Sequence, residues 1–180
     1  MPKLGKTEPR KDYLSWDDTF MLMADLIARR SKDPSTQTGS VVVDENNVVL
    51  GLGYNGFPRN TKDDDFPWDR NGGYEKEEFL KTKYPYVVHA EVNAIFNANK
   101  SVKGGKMYCH LFPCNECAKL IASKRLSEVV FLSDKYEHTE SVRMAKKLFD
   151  LSGIKYRQMK LDGQILTNLN AHMSALMTSL

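Results

Sequence analysis

Long apolar runs are missing from this 180-residue chain, and no stretch approaches the roughly 18 residues that a membrane span needs, so no membrane partner is expected. Cysteine is scarce and odd in number, three in all, which excludes a fully paired disulfide framework. A chain of this length buries about 70% of its unfolded surface and does not need such staples. Charge of one sign is lacking too. Twenty-six Lys and Arg stand against 23 Asp and Glu, and a net of +3 is too mild to predict a nucleic-acid partner. Residues 1–11 are polar and basic with no apolar core, so no secretory signal is expected and a cytoplasmic location is. What remains, 41% hydrophobic and 27% charged, is ordinary globular composition.

Residues 1–11 read as a flexible tail. Beyond it, Phe20, Met23, Ala24, Ile27 and Ala28 recur at helical spacing behind Ser15, a suitable N-cap. This helix should stop before Pro34, whose ring disfavours a helical Asp33. Apolar, β-branched runs at 40–43 and 48–52 flank Asp44-Glu45-Asn46-Asn47 and read as a hairpin. Between 54 and 87 only one short helix, around 74–83, is plausible, and a loop of that length is usually functional or disordered. Helices are expected over 89–99, 114–124, 139–151 and 164–176, with strands over 106–112, 128–132 and 154–159. A hairpin followed by strand–helix alternation implies an α/β fold. We expect a three-layer α/β/α arrangement with a mixed five-stranded sheet, antiparallel in its hairpin and parallel in its C-terminal strands.

Metal-type ligands concentrate in three places: His89-Ala90-Glu91, Pro113-Cys114 and Cys117. Cys114 and Cys117 are three apart at a helix start, so their sulfurs share one face. Exposed N–H groups and the positive end of the helix dipole favour thiolates there. His89 opens the preceding helix, and if the two helices lie side by side on one sheet face both starts converge. Two thiolates and one imidazole form a soft, tetrahedral-seeking set that suits zinc. A structural zinc closes its shell with a fourth protein ligand, which Cys109 or His110 could supply, although strand alternation lets at most one of them point at the site. A catalytic zinc leaves that position open and lowers the pKa of bound water from about 15.7 to about 7. Glu91, two residues past His89, is then placed to move protons. A redox Cys-x-x-C pair is a further reading, although no Trp or Gly-Pro context of the thioredoxin kind surrounds it.

The His-x-Glu and Pro-Cys-x-x-Cys pattern resembles the zinc-dependent cytidine and deoxycytidylate deaminase superfamily. Ser31-Lys32-Asp33-Pro34, Gly53-Tyr54-Asn55-Gly56, Thr82-Lys83-Tyr84-Pro85-Tyr86, Phe112-Pro113-Cys114-Asn115-Glu116-Cys117-Ala118-Lys119 and Ser133-Asp134-Lys135-Tyr136 narrow the resemblance to deoxycytidylate deaminases, over residues 12–156. It implies a single deaminase domain over 12–180, with a long functional loop at about 56–87. The implied activity is hydrolysis of dCMP to dUMP and ammonia, feeding thymidylate synthesis.

Carried onto this chain, the resemblance makes His89, Cys114 and Cys117 the ligands of one catalytic zinc and Glu91 the proton shuttle. Asn55, Ala90 and Tyr136 become substrate-binding residues, and Ser31 and Lys32 become the choices for the 5′-phosphate. It further implies a homohexamer activated by dCTP and inhibited by dTTP, with Gly53, Tyr54 and Gly56 contributing to the effector site. The chain departs from the family at Arg59-Asn60-Thr61, where a glycine is usual and where Asn60 could keep the glycine's backbone shape. Cys109 is expected to be a buried free thiol. Asp63-Asp64-Asp65 reads as a solvated loop face, with Mg2+ held beside an effector nucleotide as the alternative. Deamination of another cytosine-containing substrate or of single-stranded nucleic acid, and a silent zinc-stabilised nucleotide sensor, are the competing functions. The absence of a basic, aromatic-lined stripe argues against the nucleic-acid reading, and the intact Glu91 argues against the sensor.

Overall fold

Ser15 opens the first helix through an extended backbone and a side chain that accepts the N–H of Asp18 at 3.1 Å. The resulting helix, α1, spans Trp16–Ala28 and ends well before Pro34. The computed structural model describes residues 8, 9, 11–71 and 76–178, so most of the expected tail lies outside it. The hairpin follows as β1 (Gly39–Val43) and β2 (Val49–Tyr54). Its turn is closed by Asp44, whose Oδ1 accepts the N–H groups of Asn46 and Val48, both at 2.9 Å, and Asn47 takes a φ of 62°. The helix expected over 74–83 is shorter, α2 at Lys76–Leu80, and its residues 74 and 75 lie outside the described residues.

Regular alternation then sets in with α3 (Ala90–Phe96), β3 (Lys106–Leu111), α4 (Asn115–Ser123), β4 (Glu128–Ser133), α5 (Glu140–Ser152), β5 (Lys155–Gln158) and α6 (Gly163–Thr178). Thr139 caps α5 by accepting the N–H of Val142 at 3.3 Å, and Gly153, at a φ of 68°, stops it in the left-handed conformation that glycine tolerates. The five strands lie in the order β2-β1-β3-β4-β5. β1 pairs antiparallel with β2 and β3, with Val41 opposite both Leu52 and Tyr108, while β3, β4 and β5 run parallel. The expected mixed sheet is therefore the observed one.

β1 is buried along its whole length because helices cover both sheet faces. On one face Phe20, Met21 and Ala24 of α1 pack on Val41, Val43, Tyr108 and Val130. On the other, residues of α3, α4 and α5, among them Ala94, Ile121 and Phe149, pack on Val42, Met107, Val129 and Phe131. A fully buried Phe149 side chain alone is worth about 1.5–3 kcal/mol. α4 starts beyond the carboxyl end of β3, the central strand, where open α/β sheets take their ligands, and the N-terminus of α3 meets it there.

One glycine decides how closely α3 approaches. A Cβ on Gly53 would stand 2.2 Å from the Ala94 nitrogen and 2.3 Å from the Ala90 oxygen, so β2 and the backbone of α3 are in direct contact. Gly53→Ala is expected to push α3 off the sheet and cost about 1–3 kcal/mol, as overpacking does. A melting temperature lower by several degrees checks it, and an unchanged one contradicts the packing.

Candidate active site

His89 and Cys114 are N-caps. Each has an extended backbone, φ −71° and ψ 155° for His89 and φ −70° and ψ 169° for Cys114, just ahead of α3 and α4. Cys117 follows in the first turn of α4. Because α3 and α4 lie on the same sheet face, their first turns meet. His89 Nδ1 lies 3.4 Å from Cys114 Sγ and 3.3 Å from Cys117 Sγ, and all three ligand atoms fall within 4.8 Å of one another. Zn–S bonds of about 2.3 Å and Zn–N bonds of about 2.0 Å in a tetrahedron put nitrogen and sulfur about 3.6 Å apart, so this triad fits zinc.

No fourth side chain joins the group among the described residues. Cys109 is a buried free thiol, as expected, directed at the Val130 carbonyl oxygen at 3.8 Å. His110 turns towards α1, its Nε2 3.7 Å from Asp25 Oδ1. The donor set is the three-ligand kind, with one coordination position left for water or substrate.

Charge at the triad is shared unevenly before a metal binds. A hydrogen bond from the Cys117 thiol draws Cys114 down to about 4. Its donor, Cys117, is pushed up by the same bond and by burial. Hydrogen bonding to Cys114 raises His89 to about 9 against the opposing effect of burial. The triad thus carries one thiolate and one imidazolium at neutral pH. Glu91 is 8% exposed, and burial pushes its carboxyl upward.

His89, Ala90, Glu91, Cys114, Asn55 and Tyr136 line one cavity of about 290 Å³, near the lower end of the range for small-molecule sites. Asn55 is oriented by its surroundings. Its Nδ2 donates to Asp33 Oδ2 at 3.1 Å and to the Thr36 carbonyl at 2.9 Å, and its Oδ1 accepts the Thr38 N–H at 2.9 Å. Ser31 and Lys32 are not brought into the cavity. The Ser31 hydroxyl donates to the Asn55 carbonyl at 2.8 Å, and Lys32 is ion-paired with Asp63.

Gly53, Tyr54 and Gly56 lie outside the cavity as well. The Tyr54 carbonyl accepts Asn93 Nδ2 at 2.8 Å, and Gly56 exchanges backbone hydrogen bonds with Val88 at 3.1 and 2.8 Å, fixing the chain just ahead of His89. Asn60 has a φ of 68°, the glycine-like shape anticipated for it. Asp63–Asp65 forms a 3-10 turn.

Sequence reasoning missed the buried ion pair of Asp33 and Lys83, 2% and 6% exposed, which lies against the cavity. Asp33 Oδ1 also accepts the N–H groups of Ser35 and Thr36, at 2.9 and 3.2 Å. Both charged residues lie in quoted motifs, Ser-Lys-Asp-Pro and Thr-Lys-Tyr-Pro, but 50 residues of separation hide the pairing. The long loop's own small core of Phe57, Phe66, Trp68 and Tyr86 was missed too, with ring centroids 4.2–5.1 Å apart. Its signal was the run of aromatics amid prolines.

Residues 14–133 match the family described as the cytidine and deoxycytidylate deaminase zinc-binding region. The chain belongs to this family and is a zinc-dependent hydrolytic deaminase. Among its relatives, the deoxycytidylate deaminase of Mus musculus is 51% identical over 150 residues, 83% of this chain and 82% of that protein. The deoxycytidylate deaminase of Homo sapiens is 49% identical over the same shares. The probable deoxycytidylate deaminase of Drosophila melanogaster is 48% identical over 160 residues, 88% of this chain and 79% of that one. A crystal structure of the dCMP deaminase of cyanophage S-TIM5, in complex with dCMP and dUMP, shares the fold with a TM-score of 0.61 at 24% identity. It covers 82% of this chain and 100% of that one.

Zinc needs both sulfurs deprotonated and the imidazole neutral. Uptake at pH 7 should therefore release about two protons per zinc, one from His89 and one from Cys117, with none from Cys114. Affinity should rise with pH, less steeply above about 9, where the His89 proton stops competing and only the Cys117 proton, held by its bond to Cys114 and by burial, still does. Titration in weak buffer with a pH indicator measures the count, and release of no protons would refute the charge assignment. Cys114→Ala should lose both the metal and thermal stability, since metal affinity is coupled to folding. A fully zinc-loaded Cys114→Ala protein would contradict the ligand set.

Proposed function

We propose that this enzyme hydrolyses dCMP to dUMP and ammonia. The observation that carries the reading is an open three-ligand zinc set that reaches one cavity through His89 and Cys114 and meets there the buried carboxyl of Glu91. The deoxycytidylate deaminases named above, each matching more than four fifths of this chain, support dCMP as the substrate.

Bound zinc supplies nucleophilic hydroxide at neutral pH by lowering the pKa of water to about 7. The residues of the chain do the rest. Burial raises the proton affinity of Glu91, which suits a group that must gain and give up a proton at each turnover. It takes the first proton of the attacking water and delivers it to the pyrimidine ring nitrogen N3, where the product keeps it, and then carries the second, from the oxygen added at C4, to the departing amine as the C–N bond breaks. Ala90, buried at the start of α3, presents its backbone beside the ring. Asn55, held rigid by Asp33, Thr36 and Thr38, faces the sugar and base, and Tyr136 walls the other side. Helix α3 and the walls exclude bulk water and hold the ring over the metal position.

The finer reading makes dCTP an activator and dTTP an inhibitor of a homohexamer whose product supplies thymidylate synthesis. The family resemblance supports it, as does the turn at Gly56–Asn60, which keeps a left-handed residue where relatives have glycine. Gly53, Tyr54 and Gly56 stand clear of the catalytic cavity, as an effector site requires, and Gly56 is bonded to the chain just before His89.

Ammonia release should be robust from dCMP and weak from cytosine and from a single-stranded oligonucleotide. Turnover of the oligonucleotide with none of dCMP would overturn the assignment. Glu91→Gln should keep its zinc while losing at least 10²–10⁴-fold in kcat, roughly the worth of a positioned acid–base group. Near-normal turnover by that variant would place the shuttle elsewhere. A dCMP saturation curve that is sigmoidal alone and hyperbolic with dCTP is the expected mark of regulation; superimposable curves would rule it out.

A further inference from the structure

This inference rests on the dCMP reading and concerns how the monophosphate is selected. The cavity has a buried end, where Glu91 and the triad lie, and an exposed end formed by Arg70, Tyr84 and Tyr136. A nucleotide whose ring reaches Glu91 therefore leaves its 5′-phosphate at the exposed end. Four basic side chains lie near enough in the fold or the sequence to be considered for it, and one of them, Lys135, lies over the Tyr136 ring at 5.0 Å without lining the cavity.

Lys83 is buried and neutralised by Asp33, so extracting it to meet a dianion would strand a carboxylate in the interior. Lys32 is ion-paired with Asp63 and does not line the cavity. Arg70 differs from both. Of the guanidinium and ammonium groups that line the cavity, it is the one with no carboxylate partner among the described residues. Its Nε donates to the Tyr84 hydroxyl at 3.3 Å, which steers the guanidinium by its inner nitrogen and not by its terminal pair. That terminal pair is the edge with which arginine grips phosphate in a bidentate fashion. Tyr136 approaches the same guanidinium, so the two tyrosines flank it.

We propose that Arg70, steered by Tyr84 and flanked by Tyr136, binds the 5′-phosphate and so makes the enzyme select a nucleoside monophosphate over the free nucleoside. The sequence offers no hint of this, because Arg70 lies in the proline- and aspartate-rich loop among other charged residues.

The test compares kcat/KM for dCMP with kcat/KM for deoxycytidine in the zinc-loaded wild type, Arg70→Gln and Arg70→Lys. The preference for dCMP should fall about 30-fold in Arg70→Gln, about 2 kcal/mol at 1.4 kcal/mol per tenfold, and chiefly through a higher KM for dCMP. Arg70→Lys, which keeps the charge and loses the bidentate edge, should fall between. Arg70 is exposed, so its replacement leaves the core untouched. A wild type that prefers dCMP and an Arg70→Gln variant with the same preference would overturn the assignment. So would a loss shared equally by both substrates, the mark of a merely structural role. A wild type with no turnover of dCMP would instead overturn the substrate reading itself, and the Arg70 inference with it.

Discussion

Everything at this site depends on two helix N-termini brought together beyond the carboxyl end of the sheet's central strand. Each supplies an N-cap ligand, His89 from α3 and Cys114 from α4, and the first turn of α4 adds Cys117. Before a metal binds, the cluster is already an ion pair, with a thiolate on Cys114 facing an imidazolium on His89. Exposed N–H groups and the positive dipole ends help to hold that thiolate in a part-buried place. The fold therefore presents the ligands at metal-binding distances, and the proton load, more than rearrangement, opposes the cation.

That arrangement is maintained by backbone contacts away from the ligands. Gly53 lets α3 lie directly on β2, Asn93 of α3 donates to the Tyr54 carbonyl, and Gly56 bonds to Val88 one residue before His89. The Gly-Tyr-Asn-Gly segment thus serves α3 on one side and, through Asn55, the cavity on the other. Asn55 is in turn held by Asp33, whose carboxylate also meets Lys83. One buried acid links the loop after α1, the end of β2 and the segment leading to His89, so substrate wall and metal ligand share the same supports.

Much of the fold was legible. Ser15 announces a helix start by capping chemistry, Pro34 the limit of that helix, and β-branched runs the hairpin strands, because these signals act within a few residues. The triad and Glu91 were legible for the same reason, since all three ligands and the acid lie in two short motifs of fixed spacing. The phosphate end was not. Lys32 looked available from its neighbours in sequence, but Asp63, 31 residues on, occupies it. Lys83, quoted only as part of a motif, is buried against Asp33. An unpaired side chain and a neutralised one look alike until the partner's position is known.

Local sequence determined which atoms could bind a soft cation, which carboxyl could move a proton, and where helices and strands begin, since caps, periodicity and motif spacing are short-range physics. Tertiary structure alone decided that His89 and the Cys114–Cys117 pair meet and that, among the described residues, no fourth ligand joins them and Arg70 lines the cavity without a carboxylate partner. Those outcomes depend on which residues far apart in the chain come within a few ångströms, and Coulombic and coordinate bonds respond to that distance and to burial rather than to separation along the chain.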